Sequence, residues 1–97
     1  MFRIELTKGA IEDLRFFKKF EQRFLLETLE RQLRAEPEVE TQNRKPLRPN
    51  ELARWELRIG TFRVFYNVRL VDRVVQIKSI GWKEHNRLLI RGKEFPL

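Results

Sequence analysis

RWELRIGTFRVFYNVRLVDRVVQIKSI, residues 54–80, is the stretch that determines the fold of this 97-residue chain. Apolar and polar residues alternate along it with a period of two, which is typical of strands that bury one face. The alternation breaks at Gly60–Thr61 and again at Val71–Asp72, where turns are expected. The stretch therefore predicts three consecutive antiparallel strands.

The same alternation assigns the side chains of these strands to two faces. The predicted core face carries Trp55, Leu57, Ile59, Phe62, Val64, Tyr66, Val68 and Leu70. The opposite face carries Arg54, Glu56, Arg58, Arg63, Phe65, Asn67 and Arg69. In the third strand, period-two alternation places Val75 and Ile77 on one face. The other face is predicted to carry Val74, Gln76, Lys78 and Ile80. Arginines repeat on the face opposite the predicted core, and this is the first indication of function.

The residues before this stretch predict one strand and two helices. Phe2–Leu6 alternates as a short strand, and Thr7 is a suitable N-cap for a helix that follows it. A second helical pattern runs from about residue 21 to residue 35. A single helix over residues 8–35 would be about 42 Å long, too long for a four-stranded sheet, so we expect a break near residues 19–21.

The remaining segments predict little regular structure. Residues 37–52 contain three prolines and are expected to form a long loop, acidic at its beginning and basic at its end. The C-terminal segment has an apolar run and Gly92, which is suited to ending a short helix. The predicted fold is α+β, with a helical hairpin on one face of a mainly antiparallel four-stranded sheet and the other face free. Residues 1–97 are expected to form one domain.

Composition excludes several classes of protein. The chain has no cysteine and one histidine, which excludes a disulfide framework and a multi-histidine or thiolate metal site. No apolar run approaches the ~20 residues of a membrane span, and the N-terminus lacks the features of a signal peptide, so a cytoplasmic protein is expected. The net charge of +7 comes from the part after residue 42, where thirteen Lys/Arg residues face five acids. Such a surplus predicts a polyanionic or acidic partner.

The order of elements and the sequence WELRIGTFRVFYNV, followed by a hydrophobic strand ending in IGWKEHNR, resemble the RelE/ParE toxin superfamily of toxin–antitoxin systems. RelE-like members are endoribonucleases that cleave messenger RNA on the ribosome without a metal or other cofactor. The ribose 2′-hydroxyl attacks its own phosphodiester. An acidic antitoxin covers the toxin, and operator DNA is bound only through the toxin–antitoxin complex. ParE-like members share the fold but inhibit DNA gyrase.

Two residues of the first hairpin are candidates for the chemistry that this resemblance implies. Arg63 matches the phosphate-binding arginine of the family, and a guanidinium binds phosphate bidentately. A surface ion pair between Arg63 and Glu56 is the alternative. Glu56 itself stands where RelE-like nucleases carry a second basic residue. It is a candidate general base or a partner in a cross-strand salt bridge.

The segment after the third strand supplies two further candidates. Lys83 matches a basic residue that RelE-like enzymes place near the scissile phosphate. His85 is suited to proton transfer near neutral pH, although a solvated histidine without a role is the alternative. The C-terminal tyrosine of the family is absent, since Leu88–Ile90 occupies that region and Tyr66 is expected in the core.

The predicted site therefore has two sets of residues. The catalytic set is Arg63, Lys83, His85 and Glu56. The RNA-binding set is Arg54, Arg58, Arg69, Trp82 and Arg87. Trp82 is a candidate for stacking on a base, with a role at the edge of the core as the alternative.

Three functions remain open at this point. The first is a RelE-like endoribonuclease toxin, for which a basic concave face is expected. The second is a ParE-like gyrase inhibitor, which the missing tyrosine leaves open. The third is a catalytically weak module that binds an antitoxin and, with it, operator DNA.

Overall fold

Two helices pack against one face of a seven-stranded sheet in the computed structural model, which describes all residues from Met1 to Leu97. The strands are β1 (Arg3–Leu6), β2 (Arg44–Pro46), β3 (Trp55–Ile59), β4 (Phe62–Arg69), β5 (Val74–Glu84), β6 (Arg87–Ile90) and β7 (Lys93–Glu94). The helices are α1 (Lys8–Arg15) and α2 (Lys19–Leu33). Neither helix is long and apolar enough to cross a membrane.

The sheet is antiparallel except at one strand. Its order is β2-β3-β4-β5-β6-β7, and β1 pairs in parallel with the first part of β5. Ile59 pairs with Phe62 around Gly60–Thr61, so the first predicted turn is confirmed. The second turn spans residues 70–73, because Arg69 pairs with Val74. The predicted α+β fold with three central antiparallel strands is confirmed.

The main core lies between the helices and the sheet. The fully buried side chains of this cluster include Leu25, Leu29, Leu33, Leu57, Val64, Tyr66, Val75, Ile77 and Ile80. The predicted faces of β3 and β4 are thus confirmed, except that Leu70 lies exposed in the turn after β4. The hydroxyl of Tyr66 donates to the carbonyl of Pro37 over 2.7 Å, which satisfies the polar group of this core tyrosine.

The two helices are capped and separated as local chemistry requires. Thr7 Oγ1 accepts a hydrogen bond from the backbone N–H of Ala10, so the predicted N-cap is confirmed. The break lies at residues 16–18, three residues before the predicted position. There Phe17 turns inward, and its ring packs edge-on against the rings of Phe62 and Trp82. The distances between ring centroids are 5.2 and 5.5 Å.

A β-bulge in the middle of β5 changes which face its later residues occupy. Phe65 pairs with Ser79, but the next residue, Tyr66, pairs with Ile77, so one additional residue is accommodated in β5. Beyond this point the alternation is shifted by one. The prediction that Ile80 lies opposite Ile77 is therefore wrong, and both side chains belong to the main core.

The buried carboxylate of Asp13 on α1 stabilises the bulge. Between the residues of β5 that pair with β1 and those that pair with β6, the edge of the strand has no strand partner. Asp13 Oδ2 accepts hydrogen bonds from the backbone N–H of Ile80, at 3.0 Å, and from Ser79 Oγ, at 2.7 Å. Arg91 Nε lies 2.9 Å from the other carboxylate oxygen, in an ion pair without hydrogen-bond geometry. The helix thus supplies the acceptor that a neighbouring strand would supply elsewhere.

Three short strands lie where the sequence predicted none. β2 forms within the predicted loop, and Pro46 is tolerated because this strand is at the edge of the sheet. The expected C-terminal helix is absent, and residues 87–94 form the β6–β7 hairpin instead. Arg91 and Gly92, the two turn residues, both have positive φ angles, a conformation that suits a two-residue hairpin turn.

A second, smaller core covers the middle of the sheet face that was expected to be free. Phe65 is fully buried there against Ala53 and Leu88, with Leu47 and Phe95 packed around them. The C-terminal hairpin and the segment before β3 thus close over this face. What stays open is the end of the face next to the β3–β4 turn.

We expect Asp13→Ala to lower the free energy of unfolding by about 3 kcal/mol, because it leaves a buried N–H and a buried hydroxyl without the charged acceptor of two hydrogen bonds. Urea denaturation measures the change. The matched control is Glu12→Ala, which removes the neighbouring exposed acid and its ion pair with Arg91 and should cost less than about 0.5 kcal/mol. Equal stability of the two variants would contradict the role given to Asp13.

Candidate functional site

The open end of the sheet face contains a groove with five cationic side chains and one carboxylate. A cavity of about 280 Å³ is lined by Gln42, Asn43, Lys45, Glu56, Arg58, Arg63 and Lys83. A second cavity of about 510 Å³ adjoins it, shares Lys45, Glu56 and Lys83, and adds Arg48. We call the two cavities together the basic groove, with Lys45, Arg48, Glu56, Arg58, Arg63 and Lys83 as its charged residues.

Two arginines of the basic groove face each other across the β3–β4 ladder. Arg58 and Arg63 are register partners, and like charges at directly opposite positions destabilise a sheet. In the neighbouring row, Lys45 of β2 is the register partner of Glu56. The sheet therefore holds four charged side chains in two adjacent rows, and only one of them is negative. Such an arrangement is suited to binding an anion.

The guanidinium of Arg63 is positioned by the backbone of the β3–β4 turn. Its Nη1 donates hydrogen bonds to the carbonyls of Gly60, at 2.9 Å, and Phe62, at 3.0 Å. Its Nε lies 3.7 Å from Glu56 Oε2, which is an ion pair but too long for a hydrogen bond. Nη2 has no hydrogen-bond partner in the protein. The Nε/Nη2 edge of the guanidinium is therefore the edge that can bind an anion bidentately.

Both members of this ion pair are largely withdrawn from solvent. The side chains of Arg63 and Glu56 are 12% and 10% exposed. Burial lowers the pKa of Arg63 from its usual value, Glu56 acts in the opposite direction, and nearby Arg58 lowers the pKa further. An arginine stays protonated despite such shifts, so Arg63 keeps a charge that is poorly hydrated and available to a ligand.

Lys83 reaches the basic groove because of the bulge in β5. The shift in alternation places Trp82 on the helix face, where it pairs with Phe62, and leaves Lys83 on the opposite face. Gly81 allows this segment to lie close to β6, since a Cβ atom there would collide with the carbonyl oxygen of Leu89. The structure thus brings together Arg63, Lys83, Glu56 and Arg58 of the predicted site.

Two cations of the basic groove were not among the predicted site residues. Lys45 lies on β2 and Arg48 follows it in the segment before β3. The signal available in the sequence was the basic end of the proline-containing segment. That segment was expected to form a long loop, and irregular structure has no register that would place its side chains relative to the sheet.

The other predicted arginines lie elsewhere. Arg69 is at the far end of β4, in ion pairs with Asp72 and Glu5. Arg87 pairs with Glu94 across the C-terminal strands. Arg54 precedes β3 and lines a different cavity. The structure therefore does not bring these three residues to the basic groove.

Trp82 and His85 are also outside the lining of the basic groove. The ring of Trp82 stacks on Phe16 with centroids 5.4 Å apart, on the helix side of the sheet. Trp82 Nε1 donates to Glu84 over 3.2 Å. His85 is exposed in the two-residue turn between β5 and β6, where it and Asn86 have positive φ angles. His85 is thus at the end of the hairpin that carries Lys83.

Tyr66, the only tyrosine, is not positioned to take part in chemistry at the groove. Its ring belongs to the main core, and burial raises the pKa of its hydroxyl far above the usual value. The expectation from alternation that this tyrosine lies in the core is confirmed.

Two larger cavities, about 720 and 730 Å³, lie on either side of residues 51–52 and share Lys78. The first has three cationic and three acidic side chains, so its lining is balanced in charge. The second has three cations and one acid, Glu51, among apolar and amide side chains. Neither contains a pair of cations in register on adjacent strands, so the smaller basic groove is the stronger candidate site.

The solved structures that are similar to this chain include three toxin–antitoxin complexes. In the toxin–antitoxin complex RelBE2 from Mycobacterium tuberculosis, the matched chain has a TM-score of 0.72 at 23% identity, with 84% of this chain and 98% of that chain covered. In the archaeal RelE–RelB complex from Pyrococcus horikoshii OT3, the TM-score is 0.67 at 23% identity, with 87% and 97% covered. In the intact Escherichia coli RelBE toxin–antitoxin complex, the TM-score is 0.53 at 18% identity, with 88% of this chain and 100% of that chain covered.

These similarities establish that the chain has a RelE-like fold, as the sequence predicted. No protein-family model matches the sequence, and no curated protein sequence matches it.

We expect Arg58→Gln to raise the free energy of unfolding by up to about 1 kcal/mol at low salt, because it removes the like charge opposite Arg63. The gain should shrink in 1 M salt, where the charges are screened. Thermal or urea denaturation at two salt concentrations measures both effects. Arg48→Gln, an exposed arginine with no ion pair, is the control and should change stability little. A loss of stability in Arg58→Gln at low salt would contradict this account of the pair.

Proposed function

We propose that this chain is the toxin of a toxin–antitoxin pair and that it cleaves messenger RNA at the basic groove. The supporting observation is the pair of arginines held in register on β3 and β4, with Lys83 and Lys45 beside them and a single carboxylate. Repulsion within this cluster is relieved when a polyanion binds. The RelE-like fold supports the same class of function.

The proposed reaction is an internal transesterification of RNA. The ribose 2′-oxygen forms a bond to the adjacent phosphorus, and the bond from phosphorus to the 5′-oxygen breaks. The products are a 2′,3′-cyclic phosphate and a free 5′-hydroxyl. Arg63 and Lys83 stabilise the negative charge that develops on the phosphorane. Glu56, the only acidic side chain in the groove, accepts the proton of the 2′-hydroxyl.

His85 is the proposed donor of a proton to the leaving 5′-oxygen. It is the only histidine of the chain, and imidazole is the side chain best suited to proton transfer near neutral pH. It is two residues beyond Lys83, in an exposed turn that a bound RNA can contact. Hydrogen bonds of catalytic groups often form only with the substrate, so a position outside the free groove is compatible with this role.

The proposed partners follow from the charge of the groove and from the matched structures. Those structures are complexes of RelE-type toxins with RelB-type antitoxins, and we propose an acidic antitoxin for this chain as well. The proposed substrate is messenger RNA on the ribosome, in the cytoplasm. Operator DNA would be bound only by the toxin–antitoxin complex.

We expect Arg63→Ala to lower the rate of messenger RNA cleavage by about 10²–10³-fold, the factor typical for loss of one group that stabilises transition-state charge. Purified protein, programmed ribosomes and mapping of the cut ends measure the rate. The variant should still fold and bind the antitoxin, since the hydrogen bonds and ion pair of the Arg63 side chain are confined to the turn and Glu56. Arg23→Ala, which removes an exposed arginine of α2 on the other side of the sheet, should cleave at the wild-type rate.

Intact messenger RNA and normal translation with the wild-type protein would contradict the proposed activity. Inhibition of DNA gyrase in the same preparation would then favour the gyrase-directed alternative.

We expect His85→Asn to slow cleavage and to remove one transition from the pH–rate profile, because an asparagine side chain cannot act as a general acid. Asparagine is chosen because it tolerates the positive φ angle of this turn position. Single-turnover rates from pH 5 to pH 8.5 measure the profile. The control is Asn86→Gly, which preserves the turn and should leave the transition in place. An unchanged profile in His85→Asn would exclude His85 as the proton donor.

A further inference from the structure

We infer that Glu56 acts as an internal competitor for the anion-binding edge of Arg63, and that a phosphodiester must displace it in order to bind. This inference deepens the proposed function and rests on it, because the displaced carboxylate is also the proposed general base. When the substrate binds to Arg63, it releases the Glu56 carboxylate, which is then available as the base.

The hydrogen bonds of Arg63 define which edge of the guanidinium is free. Nη1 is occupied by the carbonyls of Gly60 and Phe62. A bidentate anion must therefore use Nε and Nη2. Glu56 Oε2 is near Nε, so the carboxylate lies at the edge where a phosphate oxygen would bind.

The length of the ion pair indicates that it can be displaced. At 3.7 Å, the contact between Nε and Oε2 lacks the directional hydrogen bond that makes bidentate carboxylate pairs strong. Elsewhere in the same protein, Arg69 binds Asp72 through three hydrogen bonds of 2.9 to 3.2 Å. The groove thus holds a loose pair where the chain is able to form a tight one.

Other cations are placed to hold Glu56 after it leaves Arg63. Lys45 is its register partner on β2, and Lys83 lines both cavities that Glu56 lines. The carboxylate can therefore turn from Arg63 towards Lys45 without becoming a buried charge with no partner. A bound phosphate would then have Arg63 on one side and the released carboxylate close by.

The competition between Glu56 and a ligand for Arg63 also predicts which anions bind. An anion that contacts only Arg63 forms one ion pair and breaks the ion pair between Arg63 and Glu56. Its net binding free energy is therefore small. An oligonucleotide also contacts Lys45, Arg48 and Lys83 in the adjoining cavity. The groove should therefore favour a chain of phosphates over a single phosphate.

The test measures the affinity of a 2′-O-methyl RNA hexanucleotide, which cannot be cleaved because its 2′-oxygens are blocked. Fluorescence anisotropy with wild type, Glu56→Gln and Arg63→Ala gives the three dissociation constants. We expect Glu56→Gln to bind about fivefold more tightly than wild type, because it removes a loose ion pair that lacks a hydrogen bond and competes with the ligand. Its plot of log affinity against log salt should be steeper by about 0.7, because one more cation is free to meet phosphate.

The cleavage rate of Glu56→Gln on ribosomes should fall although its affinity for RNA rises. A role limited to folding would not move the two readouts in opposite directions. The control is Glu27→Gln, which removes the same charge from an exposed position on α2 and should change the affinity less than twofold.

The outcomes separate this inference from the proposed function. If wild type binds and Arg63→Ala does not, but Glu56→Gln binds no better than wild type, the competitor role is overturned and the groove keeps its function. If neither wild type nor Glu56→Gln binds better than Arg63→Ala, both proposals are overturned.

A second measurement uses the wild-type protein alone, in case Glu56→Gln does not fold. In NMR titrations with the same hexanucleotide, the Nε signal of Arg63 and the carboxyl carbon signal of Glu56 should shift with one common midpoint. A shift of the Arg63 signal with an unchanged Glu56 signal would overturn the inference.

Discussion

The extra residue that β5 accommodates near Lys78, held by the buried carboxylate of Asp13, is the constraint on which both faces of the sheet depend. An antiparallel strand alternates strictly, so one additional residue exchanges the faces of everything that follows. Ile80 consequently enters the main core, and Trp82 packs against the aromatic end of α1. Lys83 enters the groove on the opposite face. Helix α1 supplies the acceptor, Asp13, that holds the bulge. The bulge in turn sets both the packing on the helix face of the sheet and the position of Lys83 on the groove face.

The basic groove is a local exception to the rules that stabilise the rest of the sheet. The main core takes only aliphatic and aromatic side chains from β3 and β4, and a second core around Phe65 covers the middle of the other face. At the end of that face, Arg58 and Arg63 are placed opposite each other, where like charges cost stability. The two cores offset this cost. Positions that violate a local rule in an otherwise consistent structure are typical of functional sites.

Glu56 gives this groove a character that a purely cationic groove would lack. Its carboxylate lowers the net charge around Arg63 without forming a tight pair with it. In the proposed mechanism, the same carboxylate competes with phosphate in the free protein and accepts a proton in the complex. The loose geometry of the ion pair is what makes both roles compatible, because a carboxylate held by strong hydrogen bonds would not be released at a useful rate.

The sequence by itself determined the elements whose signal is local. Strict alternation over residues 54–70 was enough to define the β3–β4 hairpin, its turn, its two faces and the position of Arg63, and Thr7 was enough to begin α1. Only the tertiary structure decided the faces of Ile80, Trp82 and Lys83, because the bulge depends on Asp13, sixty-six residues before Ser79 in the chain. It also decided that Lys45 and Arg48 join the groove. A three-residue edge strand has no periodicity of its own, and it forms only because β3 offers it a ladder of hydrogen bonds.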